Sequence, residues 1–420
     1  MGTNTKITYT IPKHKAKATS EAVNKPTVVG KSYRYRMYPT FSQINMLEKY
    51  FNNTRFVYNH TLKRAKIRRG KNKAHGYHST LKNDTIKKFP WLRDIPVEAL
   101  NNVIWDMFRN LKELDDLRVK ANRSKKSLKL NRAYKKKRGS MPPYKKKNNG
   151  QSFRISEDVV ISLDNGTVSI PMIQGEIKLA VSRKYSEKPI RINFTKSKTG
   201  KYYMLVFVDN VNNVGKKVPF NHCDVVGIDV GLSHFATMSN GEKIDRPDYL
   251  HDKHDRLDAL YVKLKRKNKD SKNYNKIYDK IKLIYETRVN RRHDFLHKLS
   301  SRLVSENQAI AIETLDIMSM VRNKRFLKTQ ILDAAWGTFF FQLNYKSKWA
   351  GKTLVKIGQY KPSTKKCSKC GYVNNNLTLA DREWVCECGI VHDRDENASV
   401  NIKKFAIKQL RQSSGRGKKL

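Results

Sequence analysis

Val225-Val226-Gly227-Ile228-Asp229-Val230-Gly231 is an apolar run carrying one acid and followed by a glycine turn. A second run, Ala309-Ile310-Ala311-Ile312-Glu313-Thr314-Leu315, repeats the pattern of an apolar strand ending in one acid. Both have the length and composition of strands buried on two faces. Phe235-Ala236-Thr237-Met238 and Asn240-Gly241 suggest a hairpin after the first. Between the two runs lie helical patterns. Leu257, Leu260, Tyr261 and Leu264 mark one helix; past a lysine-rich turn at Lys265–Lys272, Ile277, Ile281, Ile284, Leu296, Leu299 and Leu303 mark another. Trp336, Phe339, Phe340, Leu343 and Tyr345 mark a further helix, and Leu354–Ile357 a further strand. Strands and helices alternating after residue 222 predict an α/β domain.

Upstream the patterning differs. Tyr33–Tyr38 alternates like a strand and is stopped by Pro39; Thr40 then stands where it can cap a helix bearing Gln43, Leu47, Tyr50 and Phe51. Val103, Ile104, Met107, Phe108, Leu111 and Leu114 recur every three to four residues, the stripe of an amphipathic helix, and are read as core. From Phe153 to Val208 short strand-like runs are separated by turns such as Asp164-Asn165-Gly166 and Lys198–Lys201, which predicts a small β-barrel.

Composition narrows the partners. Lys and Arg number 87 against 37 acids, a formal charge of +50, and a compact state with that charge needs a polyanion. Nucleic acid fits, because each neutralised phosphate releases counterions. Residues Arg118–Lys147, rich in Lys and Arg with Tyr134 and Tyr144 interleaved, are read as phosphate-contacting. No long apolar run suggests a membrane span, and the polar stretch Met1–Ser32 has no signal-peptide core. Four clustered cysteines and a lone Cys223, read as a small buried residue, fit a reducing compartment better than a disulfide framework.

Two sets of residues carry chemistry. Cys367-x-x-Cys370 and Cys386-x-Cys388, 15 residues apart, have the spacing of a structural zinc ribbon, with Gly371 and Gly389 in the tight turns that aim two thiolates at one Zn²⁺. The second pair is tighter than CxxC, and His392 is the alternative to Cys388 as fourth ligand. The other set is acidic: Asp229 and Glu313 on apolar strands, and Asp395 just before the helix-like run Asn397–Ile402. A carboxylate on a buried strand needs a partner. Three brought together would repel unless Mg²⁺ intervened, and two Mg²⁺ ions so held can drive phosphodiester hydrolysis. Asp381 and Asp393 are read as decoys. The combination in a strongly basic chain points to a nuclease.

Tyr360–Gly371, Arg382–Cys386, Cys388-Gly389 and His392–Ile402 together closely resemble the C-terminal signature of the TnpB (OrfB) proteins of insertion sequences, relatives of type V CRISPR effectors and of Fanzors. Gly227–Gly231 resembles the family's first RuvC motif, Ile312–Leu315 the second, and Asp395 in Asp-Arg-Asp-Glu-Asn-Ala-Ser the third; Tyr35–Thr40 with Gln43, and Arg55–Asn59, resemble its N-terminal motif. The CxC pair departs from the usual CxxC.

The resemblance implies a multidomain α+β chain. Its parts are a flexible basic lead-in (1–31), a β-barrel or wedge domain (32–40 and 148–221) with an inserted helical recognition domain (41–147), an RNase H-like (RuvC) α/β domain (222–361 and 391–408) with an inserted zinc-ribbon, target-nucleic-acid-binding segment (362–390), and a disordered tail (409–420). It implies an RNA-guided DNA endonuclease of a transposable element, with a guide RNA from the transposon end. Double-stranded target DNA would be cut beside a short adjacent motif at one site where Asp229, Glu313 and Asp395 hold Mg²⁺. A monomer is expected, cytoplasmic and nucleoid-associated in a prokaryote, nuclear if the element is eukaryotic or viral. The competing readings are an RNA-guided repressor that does not cut, a DNA transposase, and a plain zinc-ribbon binding module.

Overall fold

The computed structural model describes residues 30–69, 84–123, 142–147, 150–208, 224–247, 254–269, 271–323, 325–359, 361–378 and 381–416. Cys223, Tyr134 and the lead-in before residue 30 lie outside them. The chain forms two compact units, Met1–Asn210 and Val211–Leu420.

The first unit begins with β1 (Lys31–Tyr38) and α1 (Phe41–Arg69), continues through a 3-10 turn at Pro90–Asp94 and α2 (Val97–Arg123), and ends in six strands. These are β2 (Gln151–Arg154), β3 (Val160–Ser162), β4 (Thr167–Ser169), β5 (Ile177–Ala180), β6 (Pro189–Lys196) and β7 (Tyr202–Val208). Thr40 and Gln43 cap α1 reciprocally: the Gln43 amide N–H points at Thr40 Oγ1 at 3.5 Å, and Gln43 Oε1 accepts from the Thr40 N–H at 3.0 Å. Tyr50 and Phe51 of α1 pack on Phe153, with centroids 4.6 and 5.1 Å apart, which seats the helix on the sheet.

The seven antiparallel strands run in the order β2-β6-β7-β1-β5-β4-β3. Laid flat, six strand spacings would separate the edges by about 29 Å. Yet β2 and β3, at opposite edges, are joined by residues 155–159, whose reach is only about 21 Å. The sheet must therefore curl. It does not close into the expected barrel: among the described residues the edge strands β2 and β3 are not paired with each other. The result is a half-barrel, its link anchored to α2 by Glu98, which accepts from the N–H of Ser156 at 3.0 Å and of Glu157 at 2.9 Å.

The second unit holds a five-stranded sheet in the order β10-β9-β8-β11-β12. Its strands are β8 (Val225–Asp229), β9 (His234–Met238), β10 (Lys243–Asp245), β11 (Ala309–Glu313) and β12 (Thr353–Ile357). β8, β11 and β12 are parallel, while β9 and β10 complete an antiparallel meander. The helices are α3 (His254–Lys265), α4 (Lys272–Glu306), α5 (Ile317–Asn323), α6 (Lys328–Ala334) and α7 (Trp336–Trp349). A small hairpin, β13 (Glu383–Val385) and β14 (Val391–Asp393), leads into α8 (Arg394–Arg416). The helix therefore extends past residue 409, where a disordered tail was expected.

Both faces of the parallel strands are covered, which is why their sequences are apolar without alternation. Val226, Ile228, Ile310 and Ile312 pack with Leu299 and Leu303 of α4 and Phe339 and Leu343 of α7. Val225, Ala309, Ala311 and Val355 turn the other way, onto Ile402 and Ala406 of α8. Gly227 lies under that helix: a Cβ there would stand 2.1 Å from the Ser399 carbonyl oxygen and 2.6 Å from the Lys403 amide nitrogen. These are backbone atoms and cannot rotate aside. Gly227→Ala is therefore expected to destabilise the protein by about 3 kcal/mol, the upper end of ordinary overpacking. Gly358→Ala, where the new methyl meets nothing within 4 Å, should stay within about 0.5 kcal/mol of the parent in a thermal melt of the full chain.

Candidate functional site

Asp229 ends β8 and Glu313 ends β11. Ile228 pairs in register with Ile312, so the two acids leave neighbouring parallel strands at the same level. The carboxyl end of a parallel sheet is where α/β folds hold ligands. Asp395 comes from the first turn of α8, delivered to the same place by the packing of that helix over Gly227. All three sequence-predicted acids thus belong to one electrostatic cluster.

Their ionisation reflects that crowding. Protein packed around Asp229 pushes its carboxyl up to about 8, and the charges of Asp395 and Glu313 add to the shift, while Arg394 and the Val230 N–H oppose it. Burial alone lifts Glu313 to about 7. Asp395 is held by basic side chains: Arg394 Nε and Nη2 each donate to its Oδ1 at 3.2 Å, and Arg382 Nη1 lies 3.6 Å from Oδ2. Two carboxyls that resist ionisation beside a third held by cations form a donor set that a hard divalent cation would relieve.

The two decoys have structural roles. Asp393 caps α8, its Oδ1 accepting from the N–H of Asp395 and of Glu396 at 2.9 Å, and its Oδ2 takes a 2.8 Å bond from Lys243. Asp381 accepts from the N–H and hydroxyl of Thr378 at 2.7 and 2.8 Å, closing a local turn.

The four cysteines come together as their spacing predicts. Among the described residues, the sulfurs of Cys367, Cys370, Cys386 and Cys388 all lie within 4.8 Å of one another, a thiol set that fits tetrahedral zinc. Gly371 and Gly389, with φ of 89° and 83°, make the turns after each pair. His392 is buried against Trp384, with ring centroids 4.9 Å apart, and its Nε2 is 3.0 Å from Cys367 Sγ. It contacts one sulfur of the cluster that the four thiols form. Burial opposes ionisation of Cys367, but the N–H groups of Cys370 and Lys369 together with His392 hold its thiol down at about 5.

Sequence reasoning missed the clamp joining the two sets. Asn397 and Asn401 are both buried on one face of α8. The Asn397 amide donates to the carbonyls of Thr364 and Lys366 at 3.2 and 2.7 Å, and its Oδ1 accepts from the Ser368 N–H at 2.8 Å. Asn401 donates to the carbonyls of Ser363 and Lys366 at 2.8 and 2.5 Å. The helix that carries Asp395 thereby grips the first cysteine knuckle. The available signal was the four-residue spacing of the two asparagines, which puts both on one helical face.

Comparison with known proteins agrees with this architecture. Three family models match the chain: OrfB_IS605, described as "Probable transposase", over residues 213–324; the Cas12f1-like TNB domain over 336–402; and the OrfB_IS605 helix-turn-helix domain over 29–74. A Streptomyces pristinaespiralis protein named "Putative RNA-guided DNA endonuclease" is 29% identical over 89% of both chains. An Escherichia coli K12 protein named "Putative RNA-guided DNA endonuclease InsQ" is 26% identical over 74% of both. The chain also shares its fold with the protein of a Cas12f1–sgRNA–target DNA complex: TM-score 0.54 at 15% identity, covering 87% of this chain and 83% of the other. The chain is a mixed α/β protein of Cas12f-like fold. Segments of it match models of OrfB_IS605 domains, and the two curated relatives are each named a putative RNA-guided DNA endonuclease.

Because His392 steadies the thiolate of Cys367, His392→Ala is expected to weaken zinc binding about 10- to 100-fold while leaving four thiols per site. Competition against a chromophoric chelator measures this; unchanged affinity would assign His392 to packing against Trp384 alone.

Proposed function

We propose that this chain is an RNA-guided DNA endonuclease encoded by a transposable element, cutting double-stranded DNA beside a short adjacent motif at a single RNase H-like (RuvC) site. The observation that carries the reading is the convergence of Asp229, Glu313 and Asp395 at the carboxyl edge of the β8–β11 pair. The names of the relatives support guidance by RNA, and the formal charge of +50 supplies the attraction for both guide and target.

In this reading Asp229, Glu313 and Asp395 hold Mg²⁺, and the four cysteines hold a structural Zn²⁺. Held by Asp229, Glu313 and Asp395, Mg²⁺ would supply activation of a water and charge stabilisation for the leaving oxygen in phosphodiester hydrolysis. The chain's own residues prepare that chemistry. Protein packed around the part-buried Asp229 and Glu313 lowers the local dielectric and strengthens each electrostatic contact there. Arg394 and Arg382 orient Asp395 and supply positive charge where a phosphate would arrive. Lys243, bonded to Asp393 and 3.4 Å from Glu396, steadies the start of α8. Guide RNA and target DNA are the partners, and among the described residues no helix is long and apolar enough to cross a membrane.

Asp229→Ala in the RNA-loaded protein should abolish cutting of a matched duplex while the co-purifying RNA stays bound. Cleavage at the parental rate would sink the assignment of the site. Strand-transfer products from purified protein would favour a transposase instead.

A second expectation concerns pH. The folded Asp229 and Glu313 hold their protons up to about 8 and 7, whereas unfolded carboxyls release theirs near 4. Their contribution to stability is therefore complete below about pH 4 and is lost as pH rises through the folded values. Without added Mg²⁺ the melting temperature should fall from pH 5 to pH 8. Mg²⁺ should recover it at pH 8 and do little at pH 5, because it binds the ionised forms. Asp229→Asn should flatten the fall; an unchanged profile would show that another group controls it.

A further inference from the structure

A bulge in the β9–β10 hairpin sets where His234 points. On β8, Gly227 lies under α8, and Asp229, two residues on, faces the same way. Thr237 of β9 pairs with Asp229, and Lys243 of β10 pairs with Thr237, so all three share that face. The ion pairs of Lys243 with Asp393 and Glu396, at the start of α8, agree with this. Strict alternation from Thr237 would turn His234 the other way, into the core. The register instead shifts between Ile244 and Asp245, so that Asp245 pairs with His234 and Phe235 of β9 is left over. Phe235 and Ala236 both enter the core with Ile228 and Met238. His234 is thereby turned onto the face of the acids, the re-aiming of a side chain that bulges provide.

By the same register His234 stands two pairing positions, about 7 Å, beyond the level of Asp229 and past the end of β8. Its side chain is 37% exposed, so a substrate held at the acids could touch it. Its Nδ1 lies 2.9 Å from Asp245 Oδ1. A carboxylate accepts, so Nδ1 carries the hydrogen and Nε2 is the ring nitrogen left to meet a ligand. Imidazole can release and recover a proton near neutrality, and a carboxylate behind it steadies the protonated ring. We propose that His234 is the general acid of the cutting reaction, with Asp245 as its positioning residue. The oxygen of a water bonds to phosphorus as the bond from phosphorus to the leaving sugar oxygen breaks. His234 Nε2 gives its proton to that oxygen, the attacking water loses one to solvent, and solvent returns one to the ring. The proposal rests on reading Asp229, Glu313 and Asp395 as a nuclease site, and it adds where the leaving oxygen finds its proton.

The test is single-turnover cutting of a matched duplex by the full-length, RNA-loaded protein, at limiting metal so that chemistry sets the rate. The ends of the parent's products show which sugar oxygen leaves, and a second duplex carries sulfur at that scissile position. A thiolate departs without needing a proton. Both duplexes are cut in Mn²⁺, which accepts sulfur more readily than Mg²⁺ does. His234→Gln keeps a donor for Asp245 but has no proton to transfer. It should slow the oxygen substrate about 100- to 10,000-fold and leave the sulfur substrate near the parental rate. Asp245→Asn should give a smaller loss with the same rescue by sulfur. Parental cutting of the oxygen substrate by His234→Gln would overturn the proposal. So would equal losses on both substrates, the result of a metal-holding or merely structural role. Asp229→Ala should cut neither substrate, and cutting of both by that variant would sink the nuclease site itself, so the two failures are separable.

Discussion

A glycine-sized gap sets the geometry of the second unit. β8 and α8 meet backbone to backbone at Gly227, closer than any side chain would permit. The approach brings the first turn of α8 to the end of β8, and so Asp395 to Asp229. It also lets Ile402 and Ala406 cover Val225, Ala309 and Ala311, giving the sheet its second apolar face. That apolar burial favours the docked helix and works against the cost of crowding three acids at one edge. The site is thus an electrostatic cost carried by a packing gain, and both originate in the same contact.

The cysteine cluster shares in this arrangement through α8. Asn397 and Asn401 convert one face of the helix into a set of donors for the knuckle carbonyls, while Asp393 caps its start. Buried amides of this kind are satisfied only in one register, so they fix the rotation of the helix as well as its position. The direction in which Asp395 points is a consequence of that rotation.

Much of the second unit was legible because its signals are local. An acid closing an apolar run is conspicuous, which exposed Asp229 and Glu313, and cysteine spacing exposed the thiol cluster. Asp395 is different: Asp393 stands two residues away with similar neighbours, and only the family motif separates the residue that faces the acids from the one that caps the helix. The half-barrel was harder to read. Whether a row of strands closes depends on contacts distant in sequence: the link between the edge strands is anchored by Glu98, more than fifty residues earlier. The tail misled for a related reason. Gln409 to Arg416 looks polar and breakable, yet it extends a helix already nucleated and docked, and propagation costs far less than initiation.

The chain order of the three acids has a biosynthetic consequence. Asp229 and Glu313 lie on strands that can pair as soon as β11 leaves the ribosome, but Asp395 comes only with α8. Until that helix docks, the edge of the sheet holds two of the three carboxyls. Assembly of the acid cluster is in this way left to the same late step that seals the hydrophobic face.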